Sequence, residues 1–122
     1  MAWLLDNDRP IYAQIVEKIR LRIIAGYYKS GEKLSSVREL AAEAGVNPNT
    51  MQRAFVELER SELIQTQRTS GRMVTEDTEM IQKVKREIAE EQVKSFIEKM
   101  KELGFEKEET VSLFQKLCEE GE

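Results

Sequence analysis

Apolar side chains recur at helical spacing along most of this 122-residue chain, and short breaks divide the pattern into segments. After Pro10, an isoleucine returns every fourth residue, which predicts a helix that ends near Gly26. The isoleucines of this face are Ile11, Ile15, Ile19 and Ile23. A second helix is predicted to open at Ser36, which has the capping-box spacing to Glu39, and to end before Gly45.

A third helix is predicted directly after that glycine. Asn47 and Pro48 are the residue types favoured at an N-cap and at the first helical position. The apolar positions that follow fall at i, i+3, i+4 and i+7 and predict a buried face. They are Met51, Ala54, Phe55 and Leu58. Two helices joined by a short turn that contains a glycine indicate a helix-turn-helix.

Two β-prone runs come next, at 63–67 and 72–75, and a turn with Gly71 separates them. This pattern predicts a β-hairpin. The hairpin tip carries Arg68 and Arg72 and no acidic residue. A basic hairpin after a helix-turn-helix is typical of a wing, which lies along the minor groove of DNA or neutralises phosphates. Simple solvated charges are the alternative interpretation of the two arginines.

From about Glu76 to Leu103 the pattern predicts one long helix, about 42 Å in length, and a shorter one follows from about Lys107 to Cys118. Two helices cannot bury their apolar stripes alone, so we expect a second copy of the chain to cover them. Packing inside the chain is the alternative. The residues predicted to dimerise are Ile81, Val84, Ile88, Phe96, Ile97, Met100, Phe114 and Leu117.

The predicted fold class is therefore mainly α, with a winged helix-turn-helix domain followed by a two-helix C-terminal dimerisation tail. We place the DNA-binding domain at residues 1–75 and the dimerisation region at 76–122.

Charge is unevenly distributed along the chain. The net charge is −4, but residues 1–75 hold 11 Lys and Arg against 9 Asp and Glu, whereas residues 76–122 hold 8 against 14. Nucleic-acid binding depends on the local electric field at the binding face. The negative net charge of the whole chain therefore does not argue against it.

The composition also argues against several classes of protein. The chain has no histidine and a single cysteine, which excludes an internal disulfide, histidine metal sites and Ser-His or Cys-His catalysis. We predict no enzyme activity, cofactor or metal. No apolar run approaches the roughly 20 residues that span a bilayer, and the N-terminus does not have the pattern of a signal peptide. A cytoplasmic protein is expected.

The exposed face at the start of the third helix supplies the candidate chemistry. Its side chains are Asn49, Thr50, Gln52 and Arg53. Asn and Gln can bond adenine bidentately, and Arg can bond guanine in the same way. An ordinary solvated helix start carries similar residues, so this face alone leaves both interpretations open.

Over residues 10–75 the chain resembles the winged helix-turn-helix of GntR-type bacterial transcription regulators. Residues at fixed spacing carry the resemblance, among them Pro10-Ile11-Tyr12, Arg38-Glu39-Leu40-Ala41, Gly45-Val46, Arg53-Ala54 and Leu63-Ile64. The tail, with LGF followed by KEE and an apolar helix, is similar to the YtrA subfamily. Members of that subfamily carry two C-terminal helices for dimerisation in place of a large ligand-binding domain.

The resemblance implies roles for individual residues. Arg38 would contact DNA, with Ser36 beside it on a phosphate. The start of the recognition helix would bind bases and phosphates through Asn47, Asn49, Thr50, Gln52 and Arg53. Gly71, flanked by Arg68 and Thr69, would let the wing backbone approach the minor groove. The family's usual glycine before the Leu-Ile pair is Glu62 here, which costs on the order of 1 kcal/mol if the position needs a positive φ.

The sequence thus predicts a homodimeric, sequence-specific regulator of transcription, with a repressor as the leading interpretation. Its partner would be double-stranded DNA, an inverted-repeat operator with half-sites about 34 Å apart. Control by a small-molecule effector is left open. The alternative is a winged-helix module that binds protein and not DNA. The basic face distinguishes the two, because it predicts DNA affinity that falls steeply with salt.

Overall fold

The computed structural model describes residues 3–67 and 71–121, and within them five α-helices and a two-stranded antiparallel sheet. In chain order the elements are α1 (Ile11–Ile24), α2 (Val37–Ala44), α3 (Pro48–Arg60), β1 (Ile64–Gln67), β2 (Gly71–Val74), α4 (Thr78–Glu102) and α5 (Lys107–Glu120). The predicted fold class, a winged helix-turn-helix followed by C-terminal helices, is confirmed.

The core forms where α1 and α2 pack against α3. Ile15 and Ile19 of α1 and Met51 and Phe55 of α3 are fully buried. Full burial of such a side chain contributes about 1.5–3 kcal/mol relative to exposure. The two predicted apolar faces therefore meet each other, and this contact fixes the position of α3.

Local signals set the ends of α2 and α3 as predicted. The Ser36 hydroxyl oxygen accepts a hydrogen bond from the Glu39 backbone N–H at 3.1 Å, and the Glu39 carboxylate accepts one from the Ser36 backbone N–H at 3.1 Å. Gly45 ends α2 in the left-handed region, at φ 77°. Asn47 then caps α3 and Pro48 is its first residue.

The wing pairs β1 with β2 in the register Ile64 to Val74 and Gln67 to Gly71. The segment before α2 adds a second set of hydrogen bonds to β2, because the Leu34 N–H donates to the Arg72 carbonyl at 2.9 Å and the Val74 N–H to the Glu32 carbonyl at 2.9 Å. β2 is thus bonded on both sides, which the sequence did not indicate.

Glu62 is the one residue other than glycine with a positive φ among those described, at φ 69°. It follows the end of α3 and precedes Leu63, which is buried. The left-handed turn aims the chain from α3 into the wing. The condition set for this position is met, since φ is positive there, and the cost of Glu62 stays a prediction.

The described chain divides into two compact units, the first ending at Gln82 and the second beginning at Lys83. The division falls within α4, beyond the boundary expected at residue 75, and Ile81 is buried within the first unit. In the second unit Gly104, at φ 92°, turns the chain between α4 and α5. In the described ranges we find no helix with the length and apolar character needed to cross a membrane.

Candidate nucleic-acid interface

The start of α3 presents the predicted polar face. The Asn47 side-chain oxygen accepts a hydrogen bond from the Asn49 N–H at 2.7 Å, so this amide is already engaged as the helix cap. Asn49, Gln52 and Arg53 are exposed, and Thr50 is half-buried. Because the opposite side of α3 is locked in the core, these side chains are carried on a rigid support.

Arg53 lies on the ring of Tyr12, which belongs to the first turn of α1. The guanidinium carbon is 3.8 Å from the ring centroid, well inside the roughly 6 Å limit for a cation–π contact. Both residues, with Asn49 and Thr50, line an open depression at this end of α3. Sequence reasoning missed Tyr12, because it lies beside the isoleucines of a supporting helix and outside the helix-turn-helix.

The start of α2 contributes Ser36 and Arg38, both exposed. The Ser36 hydroxyl oxygen caps the helix by accepting the Glu39 N–H. The backbone N–H and then the hydroxyl of Ser36 lower the pKa of Glu39, so this carboxylate stays ionised in the capping box. In the part of the chain that the structure covers, Arg38 has no hydrogen-bond or ion-pair partner.

Arg72 is placed differently from its prediction as a wing-tip charge. It lies in β2, half-buried, and its Nε donates to Oε1 of Glu59 at 2.9 Å. The second carboxylate oxygen of Glu59 accepts a hydrogen bond from Thr66 of β1 at 2.7 Å. Burial acts to raise the pKa of Glu59, but the hydrogen bonds from Thr66 and Arg72 outweigh it and lower the pKa. Glu59 of α3 therefore accepts hydrogen bonds from both strands of the wing, and we call this arrangement the Glu59 clamp.

The wing turn supplies the remaining predicted contacts. Gly71 is exposed at φ 79°, and the Lys33 side chain lies beside it, with Cε 3.9 Å from the place a Cβ would occupy. Arg68 and Thr69 fall outside the described residues. Lys33 was missed, since its position depends on pairing with Met73 from far along the chain.

The predicted dimerisation residues separate into three groups. Val84 and Ile88 are half-buried, and four side chains are exposed although they are large and apolar: Phe96, Ile97, Phe114 and Leu117. Ile81 and Met100 are instead buried within the chain itself. Their apolar surface is already covered, so it is not available to a partner.

Among residues 3–67 and 71–121, no group of three or more acidic or cysteine side chains is placed to hold a metal ion. The interface offers hydrogen-bond donors, amides and positive charge.

Comparisons with known proteins agree with this geometry. The family model "Bacterial regulatory proteins, gntR family" matches residues 11–74. The uncharacterized HTH-type transcriptional regulator YhcF of Bacillus subtilis is 37% identical over 116 residues, which cover 95% of this chain and 96% of that protein. The HTH-type transcriptional repressor YtrA of B. subtilis is 42% identical over 71 residues, 58% of this chain and 55% of that protein.

Solved structures give the same result. A GntR family transcriptional regulator from Listeria monocytogenes has a TM-score of 0.86 and 44% identity, and the match covers 92% of this chain and 98% of that one. The DNA-binding domain of AraR, solved in complex with operator ORE1, has a TM-score of 0.53 and 26% identity over 62% of this chain and 93% of its own.

Proposed function

The chain belongs to the GntR family of bacterial DNA-binding transcriptional regulators, in its YtrA-like subfamily, and from this premise we propose that it is a homodimeric repressor acting on an inverted-repeat operator. Its relatives are transcriptional regulators and not enzymes. The observation that carries the proposal is the polar, rigidly supported face at the start of α3.

Each α3 enters a major groove in this proposal. Asn49, Gln52 and Arg53 contact base edges there, because their amides and guanidinium match the donor and acceptor patterns of adenine and guanine. Thr50 and the N-cap residue Asn47 lie at the same end of α3 and contact the adjacent DNA backbone.

Phosphate contacts come from the elements on either side of α3. Arg38 has a free guanidinium and Ser36 an exposed side chain, and both lie at the start of α2. In the wing, Gly71 allows close approach of the backbone, and Arg68 and Thr69 are its proposed contacts. Arg72 holds the wing in place through Glu59, so we give it a supporting role.

In this proposal a second copy of the chain supplies the second DNA-binding domain. Exposed Phe96, Ile97, Phe114 and Leu117 support a contact between second units. Ile81 and Met100 are not part of the proposed dimer contact, since they are buried in the single chain. A two-fold pair presents two α3 helices and therefore favours an inverted repeat.

Repression is supported by the relative YtrA of B. subtilis, which is named a transcriptional repressor. We also propose that the protein acts in the cytoplasm and that a small-molecule effector releases it from DNA. We place the effector in a depression of about 240 Å³ between α4 and α5, which is lined by apolar side chains together with Lys101, Lys107 and Thr110.

Selection of DNA from a random pool, followed by titration of the selected operator at several salt concentrations, tests the proposal. We expect an inverted repeat and a steep fall in affinity with salt. Arg38→Ala or Gln52→Ala should weaken binding by about 1–3 kcal/mol without lowering the melting temperature. Arg60→Ala, which removes an exposed arginine at the other end of α3, is the control and should bind normally. Failure to form a salt-sensitive complex would overturn the proposal in favour of a protein-interaction module.

A further inference from the structure

We infer that Tyr12, on α1, is a positioning residue for DNA recognition, which holds the Arg53 guanidinium ready to bind a guanine. This inference rests on the proposed function, in which Arg53 contacts a base edge. Tyr12 lies outside the helix-turn-helix itself. It reaches the recognition face only because α1 packs on α3.

The packing around Tyr12 fixes its place. Tyr12 comes one helical turn before Val16, which is buried, and three residues before Ile15, which is fully buried. On the other side, Met51 and Ala54, which flank Arg53 within two residues, are also fully buried. The core therefore fixes the backbone positions of Tyr12 and Arg53, and the exposed Arg53 side chain reaches the ring from there.

The contact between Tyr12 and Arg53 is compatible with recognition of a base by Arg53. The guanidinium carbon lies 3.8 Å over the ring centroid, and within the described residues the N–H donors of Arg53 have no hydrogen-bond acceptor. Those donors are the ones that bond O6 and N7 of guanine. An aromatic ring is also neutral, so the positive charge of Arg53 remains available to DNA.

Arg72 shows a different arrangement in the same domain, because its guanidinium carbon is 5.0 Å from the Phe55 ring centroid but its charge is also paired. Its Nε donates to the Glu59 carboxylate, which uses a donor and cancels the charge. Arg38 represents a third state, exposed and without a partner in the described ranges, so it must lose conformational freedom when it binds. Of these three arginines, Arg53 alone is both held in place and free to donate.

The test compares Tyr12→Leu, which removes the ring, with Tyr12→Phe, which keeps it. Affinities of the full-length variants are measured for the operator selected by the wild-type protein, and for operators with one half-site base pair changed at a time. We expect Tyr12→Leu to weaken operator binding about two- to fivefold and to reduce discrimination at the base pair that Arg53→Ala identifies. Tyr12→Phe should bind within twofold of the wild-type protein.

A double variant separates positioning from general packing. If Tyr12 acts through Arg53, Tyr12→Leu should add no further loss to Arg53→Ala. Tyr27→Leu is the matched control, because it removes a tyrosine that also lies near an arginine, Arg22, at 5.1 Å. It should leave base discrimination unchanged. Tyr12→Gln repeats the measurement should the leucine variant have a lowered melting temperature.

The outcomes are distinguishable. If the wild-type protein selects an operator and Tyr12→Leu binds it as well as the wild type, or if the losses in the double variant add, the positioning role is wrong and the proposed function stands. If the wild-type protein selects no operator, the proposed function fails and this inference fails with it.

Discussion

Helix α3 and the pair α4–α5 carry apolar stripes of the same kind, yet their burial differs. In α3, Met51 and Phe55 are 0% exposed, whereas Phe96 of α4 is 42% and Phe114 of α5 is 57% exposed. Helical periodicity therefore predicts that a helix face is buried, but it does not predict which element or chain buries it. In the first unit the cover is α1 and α2, and in the second unit we propose another copy of the chain.

Replacing one phenylalanine in each region gives the largest predicted contrast. Phe55→Ala should lower the free energy of unfolding by about 3–5 kcal/mol, because it leaves a cavity in the core. Phe114→Ala should change it by less than about 0.5 kcal/mol in the dissociated chain, since the ring is exposed. Denaturant titration at low protein concentration measures both. Equal losses would mean that the tail is packed as a core within one chain.

A charge on the tail should dissociate the proposed dimer. Phe114→Lys would place an ammonium group in the apolar contact, so we expect dimer affinity to fall more than tenfold, on the order of 1.4 kcal/mol or more. Sedimentation measures the association, and operator affinity should fall with it. Gln115→Lys adds the same charge one position along and should remain dimeric. A Phe114→Lys chain that sediments as a dimer would place the contact elsewhere.

The Glu59 clamp shows that the first unit also depends on a polar contact. Glu59→Gln should destabilise the domain by about 0.5–1 kcal/mol, a value reduced by the partial exposure of the pair. Since the folded state lowers the pKa of Glu59, the unfolded state binds more protons in acid. The contribution is therefore complete above the unfolded pKa of about 4.3 and is lost as pH falls through the folded value.

Denaturation at a series of pH values checks this prediction. The difference in stability between wild type and Glu59→Gln should be constant near neutrality and shrink below about pH 4. A difference that grows in acid would contradict the clamp.

The smallest predicted effect is a gain. Glu62→Gly should stabilise the chain by about 0.5 kcal/mol, because relief of the left-handed strain exceeds the added freedom of the unfolded chain. Glu62→Ala keeps the strain and should be nearly neutral. Thermal unfolding compares the two, and equal melting temperatures would show that φ at this position carries no cost.

Sequence patterns predicted the parts of the fold that depend on neighbours along the chain. The Ser36 capping box, the Gly45 turn, the Asn47 cap and the buried stripe of α3 all lie within a few residues of their signals. The face at the start of α3 could be predicted for the same reason.

Long-range pairings could not be predicted in this way. Tyr12 meets Arg53, Lys33 pairs with Met73, and Arg72 finds Glu59, and each pair joins separate elements. Nothing local indicates such partners, because they depend on how the elements pack. The burial of Ile81 and Met100 within the chain was unpredicted for the same reason.

The double pairing of β2 has a consequence for solubility. Strand edges with free N–H and C=O groups are templates on which other chains can add, and aggregation starts there. Here the Glu32–Leu34 backbone covers one edge of β2 and β1 covers the other. A short hairpin that must project from the domain is thereby protected against strand addition at β2, even where many copies of the protein are crowded together.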